Sequence, residues 1–200
     1  MATQTHFDPQ PIILEGKIIR LEPLTLEHAA GVLAAGASES IWTFFAVHAP
    51  TNLAEAQKWI ESRLADHAAG QRLPFAVICL SDGKFAGSTG YAAVSRPNRT
   101  LDLASWYGLD YQRTGVNTEC KYLLLKHAFE ELGALRVGLN VDTENTRSRR
   151  AVERIGGVQE GILRKHRIRR DGPRRDSVIF SFINDDWPQA KRNLERLMSR

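Results

Sequence analysis

The sequence predicts a single α/β domain with a central mixed, mostly antiparallel sheet of about seven strands and helices on both faces. Two observations predict this fold class. Short apolar segments separated by turn residues follow one another in the first half of the chain, and strand and helix patterns alternate in the second half. No repeat or low-complexity linker divides the 200 residues, and that length suits one domain with a substantial core.

The first half of the chain predicts four strands and two helices. One helix follows Thr25, and the other follows Asn52, a residue type that caps helix N-termini, and runs to about Ala69. Turns that contain glycine or proline, at residues 81–83 and 96–98, separate the last three strands. The predicted strands span residues 18–23, 75–80, 85–94 and 101–109.

The most informative stretch is residues 111–129, where a short polar loop containing Gly115 runs into an amphipathic helix that ends near Leu132, before Gly133. The first amides of a helix have no partner within the helix, and they carry the positive end of its dipole. A strand, a tight loop and a helix in this order therefore favour an anion site, such as a phosphate site. An ordinary structural turn is the alternative, because such joints are common.

The rest of the chain predicts one more strand, a short helix, a basic hairpin and a terminal helix. The hairpin turns at residues 170–173, and the terminal helix begins at Trp187. The strand, the short helix and the two arms of the hairpin span residues 136–141, 146–155, 158–169 and 175–183.

Residues 112–117, Gln-Arg-Thr-Gly-Val-Asn, resemble the pyrophosphate loop of the GNAT superfamily of N-acetyltransferases, Q/R-x-x-G-x-G/A. Residues 142–157 resemble the D-x-x-N-x-x-S-x-x-x-x-E-x-x-G segment that follows it in the RimJ/RimL-type branch, and residues 16–24 are similar to that branch's first strand. The sequence departs from the family at Asn117, where Gly or Ala is usual. The resemblance implies a GNAT domain over residues 16–187, with an N-terminal extension over 1–15 and a C-terminal helix over 188–200.

The same resemblance implies that acetyl-CoA is the co-substrate and that the acetyl group passes directly to a primary amine in a ternary complex. The acceptor would be a protein N-terminus, such as that of a ribosomal protein, or a small amine. This transfer requires no enzyme nucleophile, and the sequence has no G-x-S-x-G elbow. The implied coenzyme contacts are Tyr107, Gly108, Leu109, Gln112, Arg113, Thr114, Gly115, Val116, Asn117, Thr118, Asn145 and Arg150.

Two residues are candidates for the catalytic proton transfers. By the resemblance, Ser148 matches the serine proposed to protonate the departing thiolate, and Asp102 stands near the acidic position that accepts the proton of the amine. The ordinary alternative for Ser148 is a hydrogen-bonding residue at a helix start, and that for Asp102 is an outward-facing carboxylate on a strand. An aromatic cluster, Trp42, Phe44 and Phe45, is either part of the core or, by the resemblance, part of the acceptor site.

Composition argues against several other classes of protein. No run approaches 18 apolar residues, and residues 1–11 lack the basic start and apolar centre of a secretory signal, so we expect no membrane association. The two cysteines, Cys79 and Cys120, fit a reduced intracellular protein, so we expect a cytoplasmic location. The six histidines lack the spacing of metal ligands, so we expect no metal site. The sequence leaves a homodimer open.

Basic residues are concentrated between Arg147 and Arg175, where there are eleven Lys/Arg and three Asp/Glu. One alternative function is therefore a nucleic-acid or regulatory binding module, and another is a catalytically inactive acyl-CoA-binding protein. We expect no nucleic-acid partner, because residues 147–178 contain no Trp, Tyr or Phe, and the basic residues along 163–169 occupy both odd and even positions, so they face both sides of the predicted strand. Coenzyme A phosphates or an acidic substrate are the expected partners of these charges.

Overall fold

The computed structural model describes residues 7–199, which form one sheet with helices on both sides. The strands are β1 (Leu14–Glu15), β2 (Ile19–Pro23), β3 (Leu73–Cys79), β4 (Phe85–Ser95), β5 (Thr100–Tyr107), β6 (Arg136–Asp142), β7 (Val158–Ile168) and β8 (Arg174–Ile183). Their order in the sheet is β1-β2-β3-β4-β5-β6-β8-β7, and every neighbouring pair is antiparallel except β5 and β6. The predicted mixed, mostly antiparallel sheet is confirmed, and the additional strand is the two-residue β1.

The α-helices of the described residues are α1 (Ala29–Ala35), α2 (Glu39–Trp42), α3 (Leu53–Ala68), α4 (Val116–Lys126), α5 (Thr146–Arg154) and α6 (Trp187–Met198). The predicted cap of α3 is confirmed, because Asn52 Oδ1 accepts a hydrogen bond from the Glu55 amide at 3.0 Å. The predicted loop before α4 contains Gly115, with a φ of 93°, and follows a 3₁₀ turn at Leu109–Tyr111; the helix itself begins at Val116.

Two hydrophobic cores lie on opposite faces of the sheet. The helices α4, α5 and α6 pack on one face, where they bury Leu124, Val152 and Leu194. The helices α1, α2 and α3 pack on the other face, where Val32 and Ile60 are buried. Each large apolar side chain that is fully buried contributes roughly 1.5–3 kcal/mol relative to an exposed one. The prediction of helices on both faces is therefore confirmed.

Segments at both ends of the chain pack on the core under α4. Phe7 and Leu194 are buried in the same cluster, and β1 pairs with β2 through Leu14 and Leu21. The predicted N-terminal extension, residues 1–15, lies outside the described residues over positions 1–6, as does position 200 of the predicted C-terminal helix. The domain boundaries stay a prediction.

The parallel strands β5 and β6 part soon after they meet. Their register runs only from Thr100–Arg136 to Asp102–Gly138, and among residues 7–199 no later pair joins them although both strands continue. A Cβ built at Gly138 would lie 2.2 Å from Asp102 Oδ1, so only a residue without a side chain fits beside Asp102. The sheet therefore opens between the carboxyl ends of β5 and β6.

Glu119, in the first turn of α4, anchors that helix to the beginning of the sheet. Its buried carboxylate accepts hydrogen bonds from the backbone amides of Lys17, Ile18 and Ile19 at 2.7, 2.8 and 3.0 Å. Hydrogen bonds to a charged acceptor are stronger than neutral ones, and here they satisfy amides that the packing of α4 withdraws from water. These hydrogen bonds fix the first turn of α4 against the start of β2.

Glu119→Ala should lower the free energy of unfolding by about 2–4 kcal/mol, because three backbone amides, one buried and two part-buried, lose a charged acceptor. Urea denaturation followed by circular dichroism measures the change. Glu61→Ala, on the exposed side of α3, is the matched control and should change stability by less than about 0.5 kcal/mol. Equal unfolding midpoints for the two variants would contradict the anchoring role of Glu119.

Candidate functional site

A cavity of about 600 Å³ occupies the opening between β5 and β6. Successive residues of a strand point to opposite faces of the sheet, so Leu103 joins the core under α4 whereas Trp106 joins the core on the side of α3. We therefore divide the cavity into two chambers. The α4-side chamber is lined by Leu103, Ser105, Asn117, Lys121, Leu139, Val141, Ser148 and Val152, and the α3-side chamber by Phe44, Phe45, Trp59, Asp102, Trp106, Asn140, Asp142, Arg167 and Arg175.

The loop before α4 is held in shape by its own hydrogen bonds. Gln112 Nε2 donates to the carbonyl oxygen of Tyr107 at 3.0 Å, and Thr114 Oγ1 donates to that of Tyr111 at 2.7 Å. Gly115 is the N-cap of α4 and lies in the left-handed region, where a residue with a Cβ would be strained. The backbone therefore turns into the helix with no side chain at the turning point.

The first amides of α4 have no acceptor within the helix. The first helical hydrogen bond runs from the Glu119 amide to the Gly115 carbonyl at 3.0 Å, so the amides of Val116, Asn117 and Thr118 precede it. Asn117 also lines the α4-side chamber. The N-terminus of α4, with the positive end of its dipole, therefore adjoins the cavity and is suited to an anion.

The start of α5 positions Ser148. Asn145 caps this helix, since its Oδ1 accepts a hydrogen bond from the Ser148 amide at 3.0 Å, and Ser148 then lines the α4-side chamber. A hydrogen bond from Arg147 Nη1 to Gln112 Oε1 joins α5 to the loop before α4. The two predicted motifs, one around Gln112 and one around Ser148, are thus brought together, although they are far apart in the sequence.

Asp102 lies in the α3-side chamber, on the face of the sheet opposite α4. Its Oδ2 accepts a hydrogen bond from Asn140 Nδ2 at 2.6 Å. Burial raises the pKa of the Asp102 carboxyl, while the charge of Arg136 and the hydrogen bond from Asn140 oppose the rise. A carboxylate of raised pKa beside a cavity is suited to accept a proton. The alternative of an outward-facing surface carboxylate is excluded.

The predicted aromatic cluster is divided between the cavity and the core. Phe44 and Phe45 line the α3-side chamber. Trp42 does not, because its side chain is 0% exposed, its Nε1 donates to the Gly36 carbonyl at 2.7 Å, and its ring packs 5.0 Å from that of Trp106. The assignment of Trp42 to the acceptor site is therefore wrong, since no ligand can reach its indole.

Several predicted coenzyme residues lie outside the cavity lining. Tyr107 is buried in the core under α4, and Gly108 joins β5 to the turn before the loop. Leu109 in that turn and Arg150 on α5 are exposed. Their contacts with a coenzyme stay predictions.

Several arginines of the basic segment, residues 147–175, are engaged inside the molecule. Arg169 donates to both carboxylate oxygens of Asp142 at 2.9 Å, and Arg154 Nη2 donates to Thr118 Oγ1 at 2.7 Å. The first interaction ties the hairpin to the end of β6, and the second ties α5 to α4. Charges used in this way stabilise the fold, so they lend no support to the nucleic-acid alternative.

The strand β7 is irregular within the basic hairpin. Leu163 pairs with Ser177 and Arg167 pairs with Arg175, so three residues of β7 lie opposite one residue of β8. The irregularity locally interrupts the ladder, and the expectation that the basic residues along 163–169 face both sides of the strand stays a prediction. Arg167 and Arg175 are direct cross-strand partners, and both line the α3-side chamber.

Lys121 is a candidate that the sequence reasoning missed. It is 4% exposed, it lines the α4-side chamber, and its Nζ donates to Ser105 Oγ at 3.1 Å. Burial lowers the pKa of the Lys121 amine to about 8. The sequence feature that could have identified Lys121 is its position on the apolar face of α4, three residues before Leu124 and four before Leu125.

The free cysteines and the acidic and histidine residues do not form a further site in the described chain. Cys79 and Cys120 are buried, and burial raises the pKa of the Cys120 thiol to about 12, so its nucleophilic thiolate is rare at neutral pH. Within residues 7–199, no group of three or more His, Cys, Asp or Glu is placed to hold a metal ion. Over the same range, no helix combines the length and the apolar character needed to cross a membrane.

The chain belongs to the GNAT family of acetyltransferases. The family model described as "Acetyltransferase (GNAT) domain" matches residues 19–158, from the start of β2 to the start of β7. The matched region contains the loop before α4, Asp102 and Ser148. The family expected from the motifs is confirmed.

Relatives and solved structures agree with this assignment. Bacillus subtilis YdaF, provisionally named a ribosomal N-acetyltransferase, is 30% identical over 112 residues, which span 56% of this chain and only 61% of YdaF. A crystal structure of a GCN5-related N-acetyltransferase from Brucella melitensis is 30% identical, with a TM-score of 0.89 over 96% of this chain and 87% of that chain. Mycobacterium smegmatis RimJ in complex with CoA-disulfide shares the fold, with 21% identity and a TM-score of 0.79 over 94% of this chain and 93% of that chain. The GNAT fold expected from the sequence is confirmed.

Lys121→Met should stabilise the protein near pH 7, because it replaces a buried ammonium with an apolar side chain of similar length. The folded-state pKa of about 8 lies below the ordinary value of 10.5, so between these values the unfolded chain binds more protons and wild-type stability rises with pH. The advantage of the variant is therefore on the order of 3 kcal/mol near pH 7 and shrinks as the pH approaches the ordinary value. Urea denaturation of both proteins near pH 7 and near the ordinary lysine value of 10.5 measures this difference in the free energy of unfolding.

Lys126→Met is the matched control for this measurement, since Lys126 lies on the same helix but is partly exposed. It should show no comparable gain in stability and no comparable dependence on pH. If Lys121→Met behaved like this control at both pH values, the Lys121 ammonium would not be destabilising in the folded protein.

Proposed function

We propose that the protein is an acetyl-CoA-dependent N-acetyltransferase of the RimJ/RimL-like branch, which transfers an acetyl group to a primary amine by direct attack in a ternary complex. The observation that carries this proposal is the placement of the first amides of α4 beside the opening between β5 and β6. A diphosphate suits those amides, and a long, narrow thioester arm suits a gap between two strand edges that do not pair with each other. Membership of the GNAT family supports the same function.

The residues around the N-terminus of α4 fit coenzyme A. The amides of residues 116–118 would donate to the diphosphate, and Arg113 in the loop and Arg147 beside it add positive charge. Asn117, in place of the usual Gly or Ala, keeps its backbone amide and lines the cavity. The α4-side chamber would receive the thioester, where the hydroxyl of Ser148 can donate a hydrogen bond to the sulfur.

The acceptor amine must be neutral before it can attack the thioester. A free α-amine titrates near ~8 and a lysine near ~10.4, so a positioned proton acceptor increases the rate at neutral pH. We assign this role to Asp102, directly or through a water molecule, because its half-buried carboxylate lines the α3-side chamber. Phe44 and Phe45 would then contact the acceptor.

The acceptor would be a protein N-terminus, such as that of a ribosomal protein, or a small amine. The name of YdaF supports the first class. A screen of acetyl-CoA consumption against N-terminal peptides of ribosomal proteins and a panel of small amines tests both classes. Coenzyme A binding without acetylation of any amine would favour the inactive acyl-CoA-binding alternative.

Gly115→Asp should weaken coenzyme A binding at least tenfold, or by about 1.4 kcal/mol, because it places a negative charge beside the amides proposed to hold the diphosphate. Titration calorimetry with coenzyme A measures the affinity. Gly115→Ala is the matched control, since it introduces the same strain at a φ of 93° without the charge. A folded Gly115→Asp protein that binds coenzyme A as well as Gly115→Ala does would refute the diphosphate site.

Asp102→Asn should lower kcat/KM on the order of 10²-fold near neutral pH, because the amide keeps the shape of the carboxyl but cannot accept a proton. The loss should be smaller at alkaline pH, where more of the acceptor amine is already neutral. A pH profile of kcat/KM with a small amine measures both effects. Asp110→Asn, at an exposed position outside the cavity, serves as the control, and a profile for Asp102→Asn parallel to that of the control would assign the proton to another acceptor.

A further inference from the structure

Lys121 places a buried positive charge in a chamber that is otherwise mostly apolar. Around it, β5 and β6 contribute Leu103, Leu139 and Val141, and α5 contributes Val152. Over residues 7–199 the side chain forms one hydrogen bond, to Ser105 Oγ, and no ion pair. A buried ammonium without a counter-ion is costly, so such a residue is expected where it serves function.

The groups that face Lys121 include no carboxylate. From β5 comes Ser105, from α5 comes Ser148, and on α4 itself the neighbouring thiol of Cys120 is buried and protonated. Glu119, also on α4, is engaged by the amides at the start of β2. Asp102 lies in the chamber on the other face of the sheet. The positive charge of Lys121 is therefore available to an anion that forms inside the α4-side chamber.

The proposed acyl transfer generates such an anion. As the amine nitrogen bonds to the carbonyl carbon and the bond from that carbon to sulfur breaks, negative charge collects on the sulfur of coenzyme A. Ser148 offers that sulfur a neutral hydrogen bond, whereas Lys121 offers a full charge and a proton from a neighbouring wall of the same chamber.

We propose that Lys121 is a catalytic residue of this transfer, whose ammonium donates a proton to the departing sulfur while Ser105 holds the ammonium in place. The inference rests on the proposed function of the domain. The acceptor nitrogen loses a proton to Asp102 or to water, and the sulfur gains one from Lys121, so the products are the amide and the coenzyme A thiol. The neutral amine of Lys121 then takes a proton from solvent before the next turnover.

The acidity of Lys121 matches this task. Burial lowers the pKa of its amine to about 8, and an ordinary thiol has a pKa of roughly 8.5, so transfer between them is nearly balanced in energy. A lysine with the ordinary value of 10.5 would be a weaker acid toward the same thiolate. The burial that destabilises the charged lysine thus brings the pKa of its amine close to the pKa of the leaving thiol.

The experiment compares kcat at saturating acetyl-CoA and amine across pH for wild type, Lys121→Met, Lys121→Arg and the control Lys126→Met. In wild type, kcat should fall as the pH rises through about 8, because the donor must carry its proton. Lys121→Met should lose on the order of 10²-fold in kcat and lose the alkaline fall, while coenzyme A affinity by calorimetry changes less than about threefold. Lys121→Arg should keep part of the rate and move the fall to higher pH, because a guanidinium stays charged.

Wild-type kcat and pH dependence in a folded, coenzyme-binding Lys121→Met protein would overturn the role of Lys121 and leave the proposed function intact. If wild type neither binds coenzyme A nor acetylates any amine, the proposed function itself fails. Mass spectrometry of the incubated enzyme provides a second test. Rapid acetylation of Lys121 would show that it is an acceptor nucleophile, and a preference for succinyl-CoA that Lys121→Met abolishes would show that it binds an acyl carboxylate; either result overturns the proton-donor role.

Discussion

The short parallel joint between β5 and β6 is the constraint on which the rest of the structure depends. The two strands pair from Thr100 to Asp102 and then separate, so the sheet opens where a continuous sheet would be closed. Because the strands are parallel, their carboxyl ends lie at the same edge, and the helices that follow them, α4 and α5, both begin there. One departure from regular pairing therefore produces the cavity and brings two helix N-termini to its rim.

Polar contacts between distant segments then fix the position of each rim element. The carboxylate of Glu119 holds α4 to the amides at the start of β2, and Arg147 and Arg154 hold α5 to the loop before α4 and to α4 itself. These hydrogen bonds fix the position of the Ser148 hydroxyl relative to the first amides of α4. A segment rich in arginine, which at first suggests a surface for nucleic acid, in this fold supports both chambers: Arg147 and Arg154 act at α4, and Arg169 ties the hairpin to the end of β6.

The two chambers differ in their electrostatics, and the sheet separates them. Asp102 has a raised pKa on one face, and Lys121 has a lowered pKa on the other, in both cases chiefly because burial disfavours the charged form. Transfer of an acyl group moves a proton away from the acceptor nitrogen and toward the departing sulfur. The proposed proton acceptor, Asp102, and the proposed proton donor, Lys121, lie on opposite faces of one opening, which matches that direction of transfer. Burial of either charged side chain costs stability, as is expected of groups kept for function.

The sequence alone determined most of the strands and helices, the loop around Gly115 that leads into α4, and the family, because hydrophobic periodicity, caps, turns and ordered motifs are local in the chain. Only the tertiary structure decided that Trp42 is enclosed in the core, that Arg167 pairs with Arg175 beside one chamber, and that Lys121 is buried beside Ser105. Each of these depends on contacts between segments far apart in the sequence. A residue's own pattern indicates which face of its element it occupies, whereas burial, register and the charge of its surroundings are set by what packs against that face.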